Sequence, residues 1–409
     1  MTMKTWFFTE DAYPYLPDPE HYDSIRVDLP SRFYDPEKGA ELYSLYLDLW
    51  CYAEECGLDI MLNEHHQTAT CVVPAAPVML GALSRLTKKS RLLILGNPIV
   101  NRTQPVRVAE EMAMIDVMSN GRLECGFVRG VPYEASAANI SAFRGSEKLW
   151  EAHDLILKAW TTHDGPFNFE GRWFHHRQVN VWPRPLQQPH PPVWITVGSG
   201  PSTVPVAGHK HVGAVFLAGY GGIRKIFDAY RAAYLAAHKM AAPLDRLAYC
   251  ALIYVADTPA LAREGAQKLM WYMHSNKVAT QYQNPPGYHP PAISAQMLRG
   301  NASKRNEATL DDQIARGNVF AGTPDQVYQQ IKSFWEYSGG FGHLLMMGQA
   351  GFLTPEETKR SMYLFGQEVF PRLKALNAGY EEGRMHELRA ATPDVAIAPI
   401  AGLSVDFVR

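Results

Sequence analysis

The sequence contains no apolar run near the roughly 20 residues that a membrane-spanning helix needs. Glu10 and Asp11 stand where a signal-type apolar segment would, so no membrane partner is expected and the expected location is cytoplasmic. There is no lysine/arginine run, and the formal net charge is only -2. That excludes an electrostatic nucleic-acid surface or a polybasic anchor. The 5 cysteines, Cys51, Cys56, Cys71, Cys125 and Cys250, are scattered and form no CxxC pair, so neither a disulfide framework nor a zinc knuckle is expected. Repeats with a period of roughly 20–50 residues are also missing, which argues against solenoids and propellers. The Gly-x-Gly patterns at Gly198 and Gly219 lack the third glycine and the acidic partner of a dinucleotide fingerprint.

What is present is material for a large core: 409 residues, 46% hydrophobic and 20% charged. The most informative stretch is Arg91 to Gly130. Leu92 to Leu95 is an apolar strand broken at Gly96-Asn97-Pro98, and Val106, Ala109, Ala113 and Val117 follow at roughly helical spacing before Asn120-Gly121. Leu123, Cys125 and Phe127 then alternate along a second strand that delivers Arg129 at its carboxyl end, where parallel sheets hold ligands. An arginine there could hold an anion or simply pair with Glu124 or Glu134.

Further strands are expected at Thr5 to Thr9, Leu58 to Leu62, Val193 to Val197, Val212 to Leu217, Leu247 to Val255 and Leu344 to Met347. With helices or long loops between them, eight strands point to a single (β/α)8 barrel, a doubly wound sheet being the weaker alternative. Insertions are expected as a hairpin near 164–192, with Phe167 and Phe169 before a turn at Glu170-Gly171, and as a long lid near 271–318. The barrel domain is placed at 1–375 and a C-terminal extension at 376–409.

Two more strand ends carry chemistry. The second strand delivers Asn63-Glu64-His65-His66; successive residues face opposite ways, so only one histidine can face a site directly. The fifth runs into Gly198-Ser199-Gly200-Pro201-Ser202-Thr203, where glycines followed by hydroxyl residues at a helix start offer several donors to one anion. His209 and His211 have same-face spacing, but they precede the sixth strand and lie at the end of a barrel away from its chemistry, so no metal site is assigned.

Gln104 to Gly130, Glu64-His65-His66 and Gly198 to Thr203, in this order and on these strands, resemble the bacterial-luciferase-like flavin monooxygenases, a family of insertion-bearing (β/α)8 barrels. The resemblance implies that Arg129, Ser199, Ser202 and Thr203, with Gly198 and Gly200 in the same turn, bind the phosphate of FMN. Luciferases have a glutamate where this chain has Gly198, which puts the pocket among the family's other branches. The resemblance further implies a non-prolyl cis peptide at Gly96-Asn97 beneath the flavin ring and His65 as the catalytic base or hydrogen-bond partner. Tyr133, one position off a tyrosine of luciferases, is a possible flavin neighbour.

The implied reaction takes up FMNH2, adds O2 at the flavin C4a position and transfers one oxygen atom to a small organic substrate. Tyr13, Tyr15, Tyr22, Tyr282 and Tyr288 suggest that this substrate is hydrophobic or aromatic. No second nucleotide fingerprint is visible, so a separate NAD(P)H-dependent reductase is the expected partner, and the expected assembly is a homodimer. The alternatives are an F420-dependent oxidoreductase of the same barrel and a non-catalytic flavin-binding partner subunit.

Overall fold

The computed structural model describes residues 2–275, 278, 280–289, 291, 294–295, 308–378 and 380. Its strands are β1 (Lys4–Thr9), β2 (Asp59–Leu62), β3 (Leu92–Asn97), β4 (Leu123–Phe127), the pair β5 (Phe167–Glu170) and β6 (His175–Val179), then β7 (Val193–Thr196), β8 (Val212–Phe216), β9 (Leu247–Val255), β10 (Val319–Gly322) and β11 (His343–Gln349). All but β5, β6 and β10 form a closed parallel barrel in the order β1-β2-β3-β4-β7-β8-β9-β11, with β11 returning to β1. The fold is thus the expected α/β TIM barrel. β5 and β6 form the expected antiparallel hairpin.

Side-chain alternation builds two cores. Trp6 and Phe8 of β1 face inward with Met61, Leu93, Trp194, Leu345 and Met347. Phe7, Ile60, Ile94, Cys125 and Phe127 face outward against the helices. Each large side chain so buried contributes about 1.5–3 kcal/mol. Glu124 is a buried acid on β4, and it is satisfied there by Arg91 and the indole N–H of Trp194. It therefore serves the barrel wall, leaving Arg129 to other partners.

The helices that carry the site are α1 (Pro36–Glu55), α2 (Ala76–Leu86), α3 (Pro105–Met118), the short α4 (Pro132–Ala137), α5 (Gly145–Thr161) and α6 (Gly200–Gly208). Next come α7 (Gly219–His238), α8 (Pro259–Leu269), α9 (Trp271–Ser275), α10 (Thr280–Gln283), α11 (Leu310–Arg316), α12 (Pro324–Ser338), α13 (Pro355–Leu364) and α14 (Phe370–Ala378). Among the described residues no helix is long and apolar enough to cross a membrane.

The lid stretch differs from the expectation of a long loop without periodicity. It contains α9, α10 and α11, and the last of these opens with a reciprocal Thr309/Asp312 capping box and closes on Gly317 at φ 75. β10 follows at once and extends the sheet along the second half of β9, from Val319 opposite Leu252 to Gly322 opposite Val255. Residues 276–277, 279, 290, 292–293 and 296–307 of this stretch lie outside the described residues. So does most of the 376–409 extension, of which only the end of α14 and Tyr380 are described.

Candidate active site

His65 lies just beyond β2, with its side chain 17% exposed, between two carboxylates. Its Nδ1 is 2.9 Å from Glu134 Oε1, and its Nε2 is 3.8 Å from Glu10 Oε1. Glu134 is carried by α4, which occupies what reads in sequence as a polar loop after Gly130. The proline at the start of α4 accounts for the helix, since its fixed φ suits the first helical position. Glu134 Oε1 also accepts the backbone N–H of His66 at 3.1 Å. Burial pushes the Glu134 carboxyl up, but the hydrogen bonds and charge of the two histidines outweigh it and hold its pKa below the usual carboxylate range. Glu134 is therefore an anion that fixes the imidazole by its Nδ1 and leaves Nε2 on the side of Glu10.

Glu10, the residue after β1, closes the other side. It accepts Asn63 Nδ2 at 3.0 Å and Arg26 Nη1 at 3.5 Å, and burial raises its pKa against the lowering influence of His65 and Arg26. Arg26 reaches in from the first long loop, donating to the Tyr133 hydroxyl at 3.0 Å and to Thr70 Oγ1 at 2.9 Å. Tyr133 is thus tied into the His65 group through Arg26. Burial pushes the Tyr133 phenol up, which keeps it a neutral hydroxyl.

His66 faces elsewhere, as alternation requires. Its Nε2 is 3.0 Å from Glu64 Oε1, and the same carboxylate pairs with Arg102 and caps α2 through Ala76 N–H. The Glu64 hydrogen bond raises the His66 pKa despite burial.

Arg129 follows β4 by two residues, and the last register pair joining β4 to β7 is Phe127 with Ile195. Continued past the strand ends, this register sets Arg129 opposite Val197, one residue before Gly198. Among the described residues Arg129 has no carboxylate partner; Glu124 and Glu134 are engaged as described above. The Tyr288 ring lies over its guanidinium at 3.9 Å, and the Tyr288 hydroxyl donates to Gly130 O at 2.7 Å. Arg129 Nη1 donates to Tyr288 O at 3.5 Å, and the ring over the face leaves the remaining in-plane N–H groups for an anion.

In the Gly198–Thr203 turn, Ser199 and Ser202 form a capping box. Ser202 Oγ accepts the N–H groups of Gly198 and Ser199 at 3.2 and 3.1 Å, and Ser199 Oγ accepts Ser202 N–H at 3.4 Å. Thr203 is fully buried and donates to Gly200 O at 2.7 Å. The hydroxyls therefore shape the turn first. Donation to an anion by Ser199 or Ser202 needs these bonds to be exchanged, and Thr203 is the least accessible of the three.

The Gly96-Asn97 bond is trans, contrary to the expectation of a cis peptide; the cis bonds among the described residues are Trp182-Pro183 and Gln188-Pro189. The chain instead bulges between Leu95 and Asn97, with Gly96 at φ 154. A Cβ on Gly96 would meet Glu64 N at 2.9 Å, so the bulge brings β3 against the end of β2. Asn97 itself is buried, and its side-chain Oδ1 and Nδ2 have no hydrogen-bond partner among the described residues. Such an orphaned amide costs about 1–3 kcal/mol unless a ligand or water completes it.

Of the suggested aromatic residues, Tyr13 belongs to the fold. It is buried against Tyr15 and Tyr34, and its hydroxyl accepts Asp35 N–H at 2.9 Å. Tyr22 packs on Phe33, while Tyr288 lies over Arg129. Glu10, Arg26 and Glu134 were not singled out from sequence as site residues. Glu10 had the same signal as Arg129, a charged residue just past a strand's carboxyl end.

The closed parallel barrel, with its polar groups gathered at one rim, defines an α/β-barrel enzyme scaffold. The chain belongs to the luciferase-like monooxygenase family, whose sequence profile matches residues 35–340. The oxygenase component of the flavin-dependent trigonelline monooxygenase of Acinetobacter baylyi is 30% identical over 168 residues, 40% of this chain and 46% of that protein. In that alignment the chain spans about half the length of its relative. An F420-dependent glucose-6-phosphate dehydrogenase of Amycolatopsis mediterranei is 25% identical over 345 residues, 79% of this chain and 92% of that protein. The solved oxygenating constituent of 3,6-diketocamphane monooxygenase of Pseudomonas putida, a type II Baeyer-Villiger monooxygenase in complex with FMN, matches with a TM-score of 0.70 at 19% identity. That match covers 91% of this chain and 99% of the other, and it carries the fold. Relatives of both kinds support an oxidoreductase with a flavin-type cofactor.

Proposed function

We propose that the protein is a flavin-dependent monooxygenase that takes reduced FMN and O2 and places one oxygen atom in a small hydrophobic or aromatic organic molecule. The observation that carries this reading is Arg129, a cation without a carboxylate partner among the described residues, in register with Val197 just before the turn that opens α6. One arginine with backbone N–H groups suits a monophosphate. F420 has a longer acidic tail, whereas the nearby Arg26 and Arg102 are already paired with Glu10 and Glu64. The orphaned Asn97 amide presents a donor and an acceptor together, which suits the amide-like edge of a flavin ring.

In this reading Arg129 and the turn at Gly198, Ser199, Gly200, Ser202 and Thr203 hold the phosphate, and Asn97, Gly96 and Tyr133 lie toward the ring. Bound reduced flavin supplies the activation of O2. His65, oriented by Glu134, holds or moves a proton at Nε2 beside the reacting substrate. Tyr288 covers the cofactor side of the mouth and excludes water.

The printed name of the trigonelline enzyme, an oxygenase component, supports a separate NAD(P)H-dependent reductase here also. A homodimer is supported by exposed Val78 and Leu86 on α2 and by the exposed stripe Met114, Val117 and Met118 on α3. F420 remains the second reading because the F420-dependent relative aligns over most of both chains. Incubation of the protein with chemically reduced FMN, 18O2 and a panel of ketones, aldehydes and aromatics tests the proposal. One labelled oxygen in a product supports it. Turnover only with reduced or oxidised F420 refutes it, and NADH oxidation with product formation in the absence of any reductase refutes the two-component part.

A further inference from the structure

A second polar cluster lies at the opposite end of the barrel. His209 caps the carboxyl end of α6, and His211 immediately precedes β8. Lys210 between them has φ 60, and this turn sets the two imidazole rings parallel, 11° apart, with centroids 5.3 Å apart. The sequence showed this pair. The structure adds His153, from the middle of α5, with its ring centroid 4.9 Å from that of His209 and 5.0 Å from that of His211.

From these three rings we propose a zinc-class divalent metal site formed by His153, His209 and His211, separate from the flavin site. One ligand nitrogen from each ring can be chosen so that all lie within 4.8 Å of one another. Three imidazoles on a tetrahedral zinc, with Zn–N near 2.05 Å, have ligand nitrogens about 3.3 Å apart and ring centroids about 5.2 Å apart. The observed centroids already have that spacing. The closest nitrogens, His153 Nε2 and His211 Nε2, are hydrogen-bonded at 2.7 Å with His211 as the donor, and a bound ion would displace that proton and open them by a fraction of an ångström.

The surroundings are those of a metal ligand set. His153 Nδ1 lies 2.8 Å from Asp154 Oδ1, so the carboxylate holds the proton on Nδ1 and turns the Nε2 lone pair toward His211. Trp150 stacks on His209 at 11°, which fixes that ring's plane. His153 and His211 are buried while His209 is exposed, giving two ordered ligands and an entry side where water can take the fourth position. Arg246 is an adverse charge near His211. A bound ion would join α5 to the α6–β8 turn, 58 residues away in sequence.

The test uses the full chain with any affinity tag removed, stripped by a chelator and titrated with Co2+ and with Zn2+. One equivalent of Co2+ should bind with the visible absorption of a tetrahedral ion, and excess Zn2+ should displace it. At about 100 times its Kd, zinc should raise Tm by a few degrees. His209→Ala removes an exposed ligand and should keep the metal-free Tm while weakening Co2+ binding at least thirtyfold. His153→Gln should lose the cobalt band, with circular dichroism reporting that the chain is still folded. Absence of any Co2+ or Zn2+ binding, or unchanged affinity in His209→Ala, would overturn the proposal. Flavin binding plays no part in either readout.

Discussion

Replacing Glu134 by Gln separates charge from shape at the centre of the site. Both hydrogen bonds to this side chain enter one oxygen, Oε1, from His65 Nδ1 at 2.9 Å and His66 N–H at 3.1 Å. A glutamine carbonyl can accept both, so Glu134→Gln removes the negative charge and keeps the contacts. Hydrogen bonds to charged groups contribute about 1.5–3 kcal/mol and neutral ones about 0.5–1.5, so the variant should lose about 1–2 kcal/mol at pH 7. The sign with pH follows from the depressed pKa of Glu134. Its contribution is fully present above the unfolded carboxylate value of about 4.3 and is lost as pH falls through the lower folded value. Urea unfolding followed by tryptophan fluorescence should therefore show a gap between wild type and variant that grows as His66, whose pKa Glu134 helps to raise, becomes charged, and that closes below about pH 4. A gap that persists undiminished below about pH 4, or no gap at pH 7, would refute this account of the pair. Turnover should fall at least about tenfold, because the imidazole loses the anion that orients it.

His65→Ala should lower turnover by about 10²- to 10⁴-fold while changing FMN affinity by less than about tenfold, as measured by product formation and flavin titration. Asn97→Ala removes an amide that has no partner, so the ligand-free protein should be no less stable in thermal unfolding. Flavin binding should weaken by about 1 kcal/mol, or about fivefold. Val117→Lys puts a charge in the exposed stripe of α3; light scattering should show a dimer becoming monomer without loss of fold.

The barrel was legible because alternation is regular where two cores meet. Trp6, Phe7 and Phe8, or Leu123, Cys125 and Phe127, announce their faces in sequence and take them in the structure. β10 was missed because four residues beside a polar, proline-rich stretch carry too little periodicity to be separated from it. α11 had a readable Thr309/Asp312 cap, of the same kind as the Thr354/Glu357 cap that opens α13. Arg129 and His65 were legible as candidates at strand ends because a motif drew attention to them. Glu10, Arg26 and Glu134 were not, because their partners lie 55, 107 and 69 residues away and only the closed barrel brings them together. The difference at Gly96-Asn97 has the same origin. Sequence marks a break in the strand there, and the structure accommodates it with a trans bond and a bulge.

The central claim is that Arg129 and the Gly198–Thr203 turn hold a flavin phosphate, and its most direct measurement compares FMN with riboflavin. Fluorescence titration of the wild-type protein should show FMN binding at least about a hundredfold more tightly, the worth of a charge-assisted contact of about 3 kcal/mol. In Arg129→Ala that preference should collapse to about tenfold or less, with riboflavin affinity little changed. Equal affinity of the wild type for the two flavins, or a preference for FMN that survives the loss of Arg129, would contradict the account.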